Sequence, residues 1–125
     1  MNEQNEYNIK EENPFGHVQI ADEVIAVIAG LAAGEVTGVA GLSGTLSGEL
    51  AVKLGKKTPA KGVKVELDNG EVMIEVSIVV LYEYSIPEVA AKVQEKVKQA
   101  IETMTGLNVT EVNIKIAGVK ASDAN

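Results

Sequence analysis

The sequence predicts an α+β domain of two layers, in which two long helices pack on one mostly antiparallel sheet. Two stretches have apolar residues at helical spacing, and a third reads as a β-hairpin, because Asn69-Gly70 separates two alternating stretches. Strand, helix, short strand, hairpin, helix and strand follow in that order, which favours a layered α+β fold. We expect one domain over residues 15–119, a disordered acidic tail over 1–14 and a short polar tail over 120–125.

Composition limits the function classes. The 125 residues are enough for one hydrophobic core, and 46% of them are hydrophobic. The net charge of −7 disfavours binding to nucleic acid or to anionic lipid. All 11 basic residues are lysines, so bidentate recognition of phosphate by arginine is excluded. Cysteine is absent, which excludes disulfides and thiolate chemistry. The polar N-terminal stretch does not resemble a signal peptide, and we expect a cytoplasmic protein.

The first helix follows a short extended lead-in over residues 15–20 and begins near Asp22, with Ala21 as an alternative start. Every residue from Val24 to Gly34 is apolar or glycine, so this helix lacks a polar face and must be covered. Small residues form one of its faces: Ala26, Ala29, Gly30, Ala33 and Gly34. This face either packs inside the domain or contacts another subunit or partner. We take Ala26, Gly30, Ala33 and Gly34 as candidate contact residues.

A glycine-rich connection follows the first helix and leads into the only basic stretch of the chain. A short strand is predicted over residues 39–42, and a weak helical pattern follows over residues 46–54. Five lysines and no acid lie between Lys53 and Lys64. This stretch is either a solvated loop or an electrostatic contact with an acidic partner or a membrane surface. We take Lys53, Lys56 and Lys57 as secondary candidate contact residues.

The second half of the chain has clearer boundaries. Alternating residues over 63–81 predict the hairpin with one face in the core. Ser85 and Glu88 form a capping box with Pro87 in the first turn, and Gly106 ends the helix that they open. A last strand is predicted over residues 107–119 from its alternation of apolar and polar residues.

No catalytic constellation is evident. His17 is the only histidine and lacks a second ligand for a metal or a nucleophile to activate. The Gly55-Lys56-Lys57-Thr58 segment departs from a phosphate-binding loop, and Gly41-Leu42-Ser43-Gly44 matches only the unspecific GxxG of a KH loop. We therefore predict no catalytic, cofactor-binding or metal-binding residue and no small-molecule substrate, and the negative charge and the lack of arginine disfavour a nucleic-acid partner.

An ordered set of short segments resembles the alkaline shock protein family. The opening segment is Gly16-His17-Val18-Gln19-Ile20-Ala21-Asp22-Glu23-Val24-Ile25. The later segments are Lys61-Gly62-Val63-Lys64-Val65, then Ile86-Pro87-Glu88-Val89-Ala90, and finally Met104-Thr105-Gly106-Leu107 with Glu111-Val112-Asn113-Ile114. The resemblance covers about residues 15–119 and is strongest to the branch whose genes lie beside functions of fatty-acid synthesis.

The resemblance implies a non-enzymatic protein of Gram-positive bacteria that acts in stress tolerance and cell-envelope homeostasis. It also implies self-association or docking on a membrane-anchored relative. Association with a membrane would need such a partner, because the chain has no apolar run long enough to insert directly. The alternative is a regulatory protein that binds an enzyme of fatty-acid precursor synthesis. Nucleic-acid binding of the KH type is a third hypothesis. The family offers no catalytic residues or cofactors to transfer.

Overall fold

The computed structural model describes residues 6–8, 15–16, 18–43, 62–68 and 70–121, with the side chains of residues 6–8 left aside. These residues form six strands and two helices. The elements are β1 (Glu6–Asn8), β2 (Gln19–Ala21), α1 (Asp22–Gly34), β3 (Val39–Leu42), β4 (Val63–Asp68), β5 (Glu71–Leu81), α2 (Ile86–Thr105) and β6 (Asn108–Lys120).

The predicted two-layer α+β fold is confirmed. The main sheet has four strands, and β5 is its centre. β6 runs parallel to β5 along its whole length, while β4 and β3 pair antiparallel with its first and last parts respectively. β3 and β4 therefore lie end to end along one edge, and β6 forms the other edge. Two of the three pairings are antiparallel, and α2 supplies the crossover between the parallel strands β5 and β6.

The joint between β3 and β4 lies at Ser77 of β5. The Ser77 carbonyl accepts a hydrogen bond from the Ser43 N–H at 2.9 Å, and the Ser77 N–H donates to the Gly62 carbonyl at 2.8 Å. The chain therefore leaves the sheet and returns to it at one point. The predicted helical pattern over residues 46–54 and the candidate residues Lys53, Lys56 and Lys57 fall between these two positions, outside the described residues.

The core lies between the sheet and the helices. One face of β5 is buried to 1% exposure or less at every inward position, namely Val72, Ile74, Val76, Ile78 and Val80. α2 covers this face with Val89, Val93, Val97 and Ile101, which are 3% exposed or less. α1 contributes Ile25 and Ala29, both fully buried, and packs along α2 and against β3 and β4. Aliphatic residues at period 2 in β5 and at helical spacing in α2 meet at this layer.

The predicted start of α2 at the Ser85 cap and its end at Gly106 are confirmed. The Ser85 Oγ accepts a hydrogen bond from the Glu88 N–H at 3.4 Å, and Pro87 lies in the first turn. Gly106 ends the helix with φ +78°, a left-handed conformation that glycine adopts without a Cβ penalty, and its N–H donates to the Glu102 carbonyl at 2.9 Å.

The N-terminal region differs from the expectation in two respects. β1 forms within the stretch predicted to be a disordered tail, and it pairs antiparallel with β2. α1 begins at Asp22 itself, with Ala21 at the N-cap position and without a side-chain capping hydrogen bond. The helix therefore begins at Asp22 as predicted, but its N-cap is Ala21, the alternative residue that the sequence left open.

Candidate interaction surface

The solvent-exposed face of α1 is apolar. Val24 is 48% exposed and Leu31 is 65% exposed, with the half-buried Val27 between them. We call these three residues the α1 stripe. With 3.6 residues per turn they lie within an arc of about 60° on one side of the helix. Exposed glutamates, Glu23 and Glu35, adjoin its two ends, so the stripe is a small apolar surface bounded by acids.

The structure places the four candidate residues of α1 mostly inside the domain. Ala26 is 6% exposed, Ala33 is 0% exposed and Gly30 is also buried, whereas Gly34 is exposed. A Cβ added at Gly34 would meet nothing within 4 Å. Only Gly34 borders the α1 stripe, and the part of these residues in assembly stays a prediction. Val24 and Leu31 belong to the all-apolar run, which does not by itself indicate which of its side chains are exposed.

A charged groove adjoins the C-terminal end of α1. It has a volume of about 370 Å³ and is lined by Glu35, Val36, Thr37, Lys92, Glu95, Lys96 and Gln99. Lys96 lies 3.6 Å from Glu35, with both side chains about half exposed or more. Lys92 forms no ion pair within the described part of the chain. The surfaces that the two helices expose to solvent therefore differ in character: that of α1 is apolar, and that of α2 is charged.

The outer edge of β6 is a second feature with unusual geometry, because side chains of α2 bond to its backbone. Gln94 donates to the Val112 carbonyl at 3.0 Å, and Lys98 donates to the Val109 carbonyl at 3.0 Å. Glu102 accepts from the Val109 N–H at 2.9 Å. These side chains take the place of a neighbouring strand over residues 109–112, so the first half of the edge is closed.

Lys98 and Glu102 also bond each other. Their Nζ and Oε2 atoms are 2.8 Å apart, at the spacing of four residues that favours helix ion pairs. The hydrogen bond from Lys98, together with that from the Val109 N–H, lowers the pKa of Glu102 below its ordinary value of 4.5. The carboxylate therefore stays ionised where it is needed to hold the start of β6.

A shallow groove of about 340 Å³ runs along this contact between α2 and β6. Its walls are Ala91, Gln94, Glu95 and Lys98 on the helix and residues 109–112 on the strand. Ala91 carries no polar atom on its side chain, so the row of α2 side chains that bond to β6 stops at Gln94. The sequence did not reveal this arrangement, because Gln94 and Lys98 are ordinary surface residues of an amphipathic helix.

Two features are absent from the part of the chain that the structure describes. Among its residues, no group of three or more His, Cys, Asp or Glu side chains could hold a metal ion. Neither α1 nor α2 combines the length and hydropathy needed to cross a membrane. His17, the single histidine, lies outside the described residues.

Comparison with known proteins gives consistent matches. The sequence profile of the alkaline shock protein 23 family, described as having a cell envelope-related function, matches residues 10–121. The uncharacterized protein YqhY of Bacillus subtilis (strain 168) is 46% identical over 110 residues, which cover 88% of this chain and 82% of that protein. YloU of the same organism is 35% identical, with coverage of 87% and 92% respectively.

A third relative carries a functional name. A protein of Streptococcus pyogenes serotype M1, named as a homolog of the stress response regulator gls24, is 31% identical over 109 residues. The match covers 86% of this chain and 61% of that protein. Among solved structures, a variant of the MamM CTD superposes with a TM-score of 0.48 at 15% identity, covering 82% of this chain and 98% of that one. Similarity at that level carries no functional information.

Proposed function

This chain belongs to the alkaline shock protein 23 family, which has a cell envelope-related function, and from that premise we propose that it is a non-enzymatic scaffold of the stress response that self-associates. The observation that carries the proposal is the α1 stripe. A helix of 13 residues that shows aliphatic side chains to water, in a domain whose other helix shows charges, is typical of a surface that another protein covers.

The occupant that fits the α1 stripe is a second copy of this chain. Two α1 helices packed antiparallel about a two-fold axis would place Leu31 of one copy against Val27 of the other. The same arrangement would bring the acidic first turn of α1, with Asp22 and Glu23, towards Lys92 beside the C-terminal end of the second α1. Aliphatic contacts in the middle and opposite charges at the ends make the surface self-complementary.

The first test is light scattering behind a sizing column, across protein concentration and salt. We expect a species of two or more chains whose fraction grows with concentration, because the stripe is too small to give a permanent interface. A monomer at every concentration would reject self-association through α1. A membrane-anchored relative would then be the partner to examine, by adding its soluble domain to the same column.

Glycine substitutions separate the core of α1 from its surface. Gly30→Leu introduces a side chain at a buried position, whereas Gly34→Leu introduces the same side chain at an exposed one. We expect Gly30→Leu to lower the unfolding temperature, whereas Gly34→Leu should keep or slightly raise it while altering assembly. Loss of assembly in Gly30→Leu with an intact unfolding transition would instead support the buried small residues as the contact face.

The candidate lysines outside the described residues bear on the alternative function, a regulator that binds an enzyme of fatty-acid precursor synthesis. Lys53, Lys56 and Lys57 are the basic cluster of an acidic protein and would meet an acidic surface on such an enzyme. If this chain changes the activity of such an enzyme at low salt, replacing all three lysines with Gln should abolish that change. A gel shift at low salt tests the third hypothesis, since nucleic-acid binding through this stretch would require a salt-dependent complex.

A further inference from the structure

The outer edge of β6 is closed at one half and open at the other. Val109 and Val112 direct their carbonyls outward, to α2, whereas the Lys120 carbonyl points inward and accepts from the Tyr82 N–H at 2.9 Å. Backbone groups of successive residues in a regular strand point to alternate edges, and β6 pairs regularly with β5 from Val112 to Ile116, so the groups of Ile114 and Ile116 also point outward. Irregularities in the register between 109 and 111 and between 116 and 118 reverse this alternation, which is why Val109 also points outward and Lys120 points inward. Within the described residues, no side chain bonds to them.

The reason for the open half lies in the sequence of α2. Ala91 and Pro87 precede Gln94 by three and seven residues, which places them in the same row of the helix. From rises of about 1.5 Å per residue in a helix and about 3.3 Å in a strand, they lie beside the stretch from Asn113 to Ile116. Neither side chain can donate or accept a hydrogen bond. Because both side chains are small, they leave space for another strand to pair with the outer edge of β6 beside α2.

Side chains along the open half define what would pair there. Ile114 and Ile116 point towards the helix layer and are only partly buried, and Val119 beyond them is 52% exposed. Lys115 and Lys120 lie exposed on the outer face, and no acid occurs between Val112 and Lys120. An added strand would thus meet aliphatic side chains on one face and lysines on the other.

A second copy of β6 is a poor occupant. The antiparallel register that satisfies both Ile114 and Ile116 places Lys115 opposite the same lysine of the other copy, and like charges directly opposite each other destabilise a strand pair. We infer that the open half of β6 binds an extended segment of a different protein in which aliphatic and acidic residues alternate. The inference rests on the proposed role as an interaction protein, but it concerns a surface apart from α1.

The test uses the full chain and a capped nine-residue peptide of alternating Glu and Val. Amide resonances of the labelled protein are followed during titration. We expect saturable shifts centred on Ile114 and Ile116, together with slower hydrogen exchange of those two amides. A peptide of alternating Lys and Val should bind about two- to fivefold more weakly for each Lys–Glu pair lost, and Lys115→Glu should reverse the preference.

A variant that closes the edge tests the geometry. Ala91→Gln continues the row of Gln94 and Lys98. Its amide would donate a hydrogen bond to the Ile114 carbonyl and so block pairing there, and we expect at least a tenfold loss of peptide affinity. Thr103→Gln is the matched control, because it places the same uncharged side chain on an exposed position of α2 elsewhere around the helix.

Three results would overturn the inference. They are shifts spread over other surfaces, equal binding by Ala91→Gln and the wild type, or concentration-dependent shifts of Ile114 and Ile116 without peptide, which would assign the edge to a second copy. None of them changes the expected effect of variants in α1, so failure here is distinguishable from failure of self-association.

Discussion

Replacing Leu31 with Gln tests the α1 stripe most directly. Leu31 is 65% exposed in the single chain, so only about a third of its side chain contributes to the fold. Burying a whole Leu side chain stabilises by about 1.5–3 kcal/mol, and the buried third therefore accounts for about 0.5–1 kcal/mol. Leu and Gln have similar helix propensities, which adds little to this loss. The monomer should remain folded.

The expected effect on assembly is larger. If a second copy covers the exposed two thirds of Leu31, each protomer loses about 1–2 kcal/mol of interface burial on substitution. A symmetric dimer contains two such residues and loses about 2–4 kcal/mol, which raises the dissociation constant by about 30-fold or more. The loss per residue rests on exposure alone, so the complex with a different apolar partner that covers a single Leu31 completely would lose about 1–2 kcal/mol of interface burial.

Sedimentation or light scattering across protein concentration measures the dissociation constant, and urea unfolding measures the free energy of unfolding of the monomer. Tyr82→Gln is the control, because Tyr82 is 75% exposed, directly follows β5 and is not part of the α1 stripe. We expect this control to assemble as the wild type does. If Leu31→Gln assembles with an unchanged dissociation constant while its unfolding is also unchanged, the α1 stripe is not the contact and the reasoning is refuted.

Three further substitutions test the fold around this surface. Gly34→Ala should raise the free energy of unfolding by about 0.4–1 kcal/mol in urea, because the helical glycine has open space around it; a decrease would contradict this reading. Gly38→Ala should cost about 2–5 kcal/mol in the same assay, since φ is +103° and the new Cβ would lie 2.7 Å from a methyl group of Val89; a loss below about 1 kcal/mol would refute the close packing. Glu102→Ala should cost about 1 kcal/mol near neutral pH and less in acid. A lowered folded pKa gives stability that is present above the ordinary 4.5 and lost as pH falls through the folded value; an equal cost at both pH values would exclude the charge-assisted hydrogen bonds as its cause.

The sequence predicts elements best where apolar and polar residues contrast. The hairpin and α2 are recovered with their boundaries, because period-2 alternation and the Ser85 and Gly106 caps are local signals. α1 lacks this contrast. Its existence follows from the unbroken apolar run, but such a run does not tell which side faces the core.

The sequence therefore leaves open whether the face of small residues packs inside the domain or contacts another chain. Ala26, Gly30 and Ala33 are candidate contact residues of a face that could also pack inside the domain, and the structure buries them within the chain. Small residues allow close approach of whatever packs on them, and here that includes elements of the same domain. Val24 and Leu31 belong to the same apolar run but lie on the exposed side of α1.

Other features depend on contacts between residues distant in sequence. The parallel pairing of β5 and β6 and the end-to-end placement of β3 and β4 require the register of the sheet, which no single stretch encodes. The bonds from Gln94 and Lys98 to β6 likewise become visible only when α2 is placed on the strand. Surface residues of this type carry no pattern by which sequence analysis could distinguish them.

The two proposed surfaces lie on opposite sides of the domain. α1 packs over β3 and β4 at one edge of the sheet, whereas the open half of β6 is the other edge. A protein bound to one therefore leaves the other accessible. Each surface is small, so each contact alone should be weak and reversible. Joining a second copy through α1 would place two β6 edges in one particle, and a partner with two acidic segments would then bind with higher avidity than a partner with one. The Leu31→Gln variant should lose this advantage while retaining the affinity of each single edge for the Glu-Val peptide.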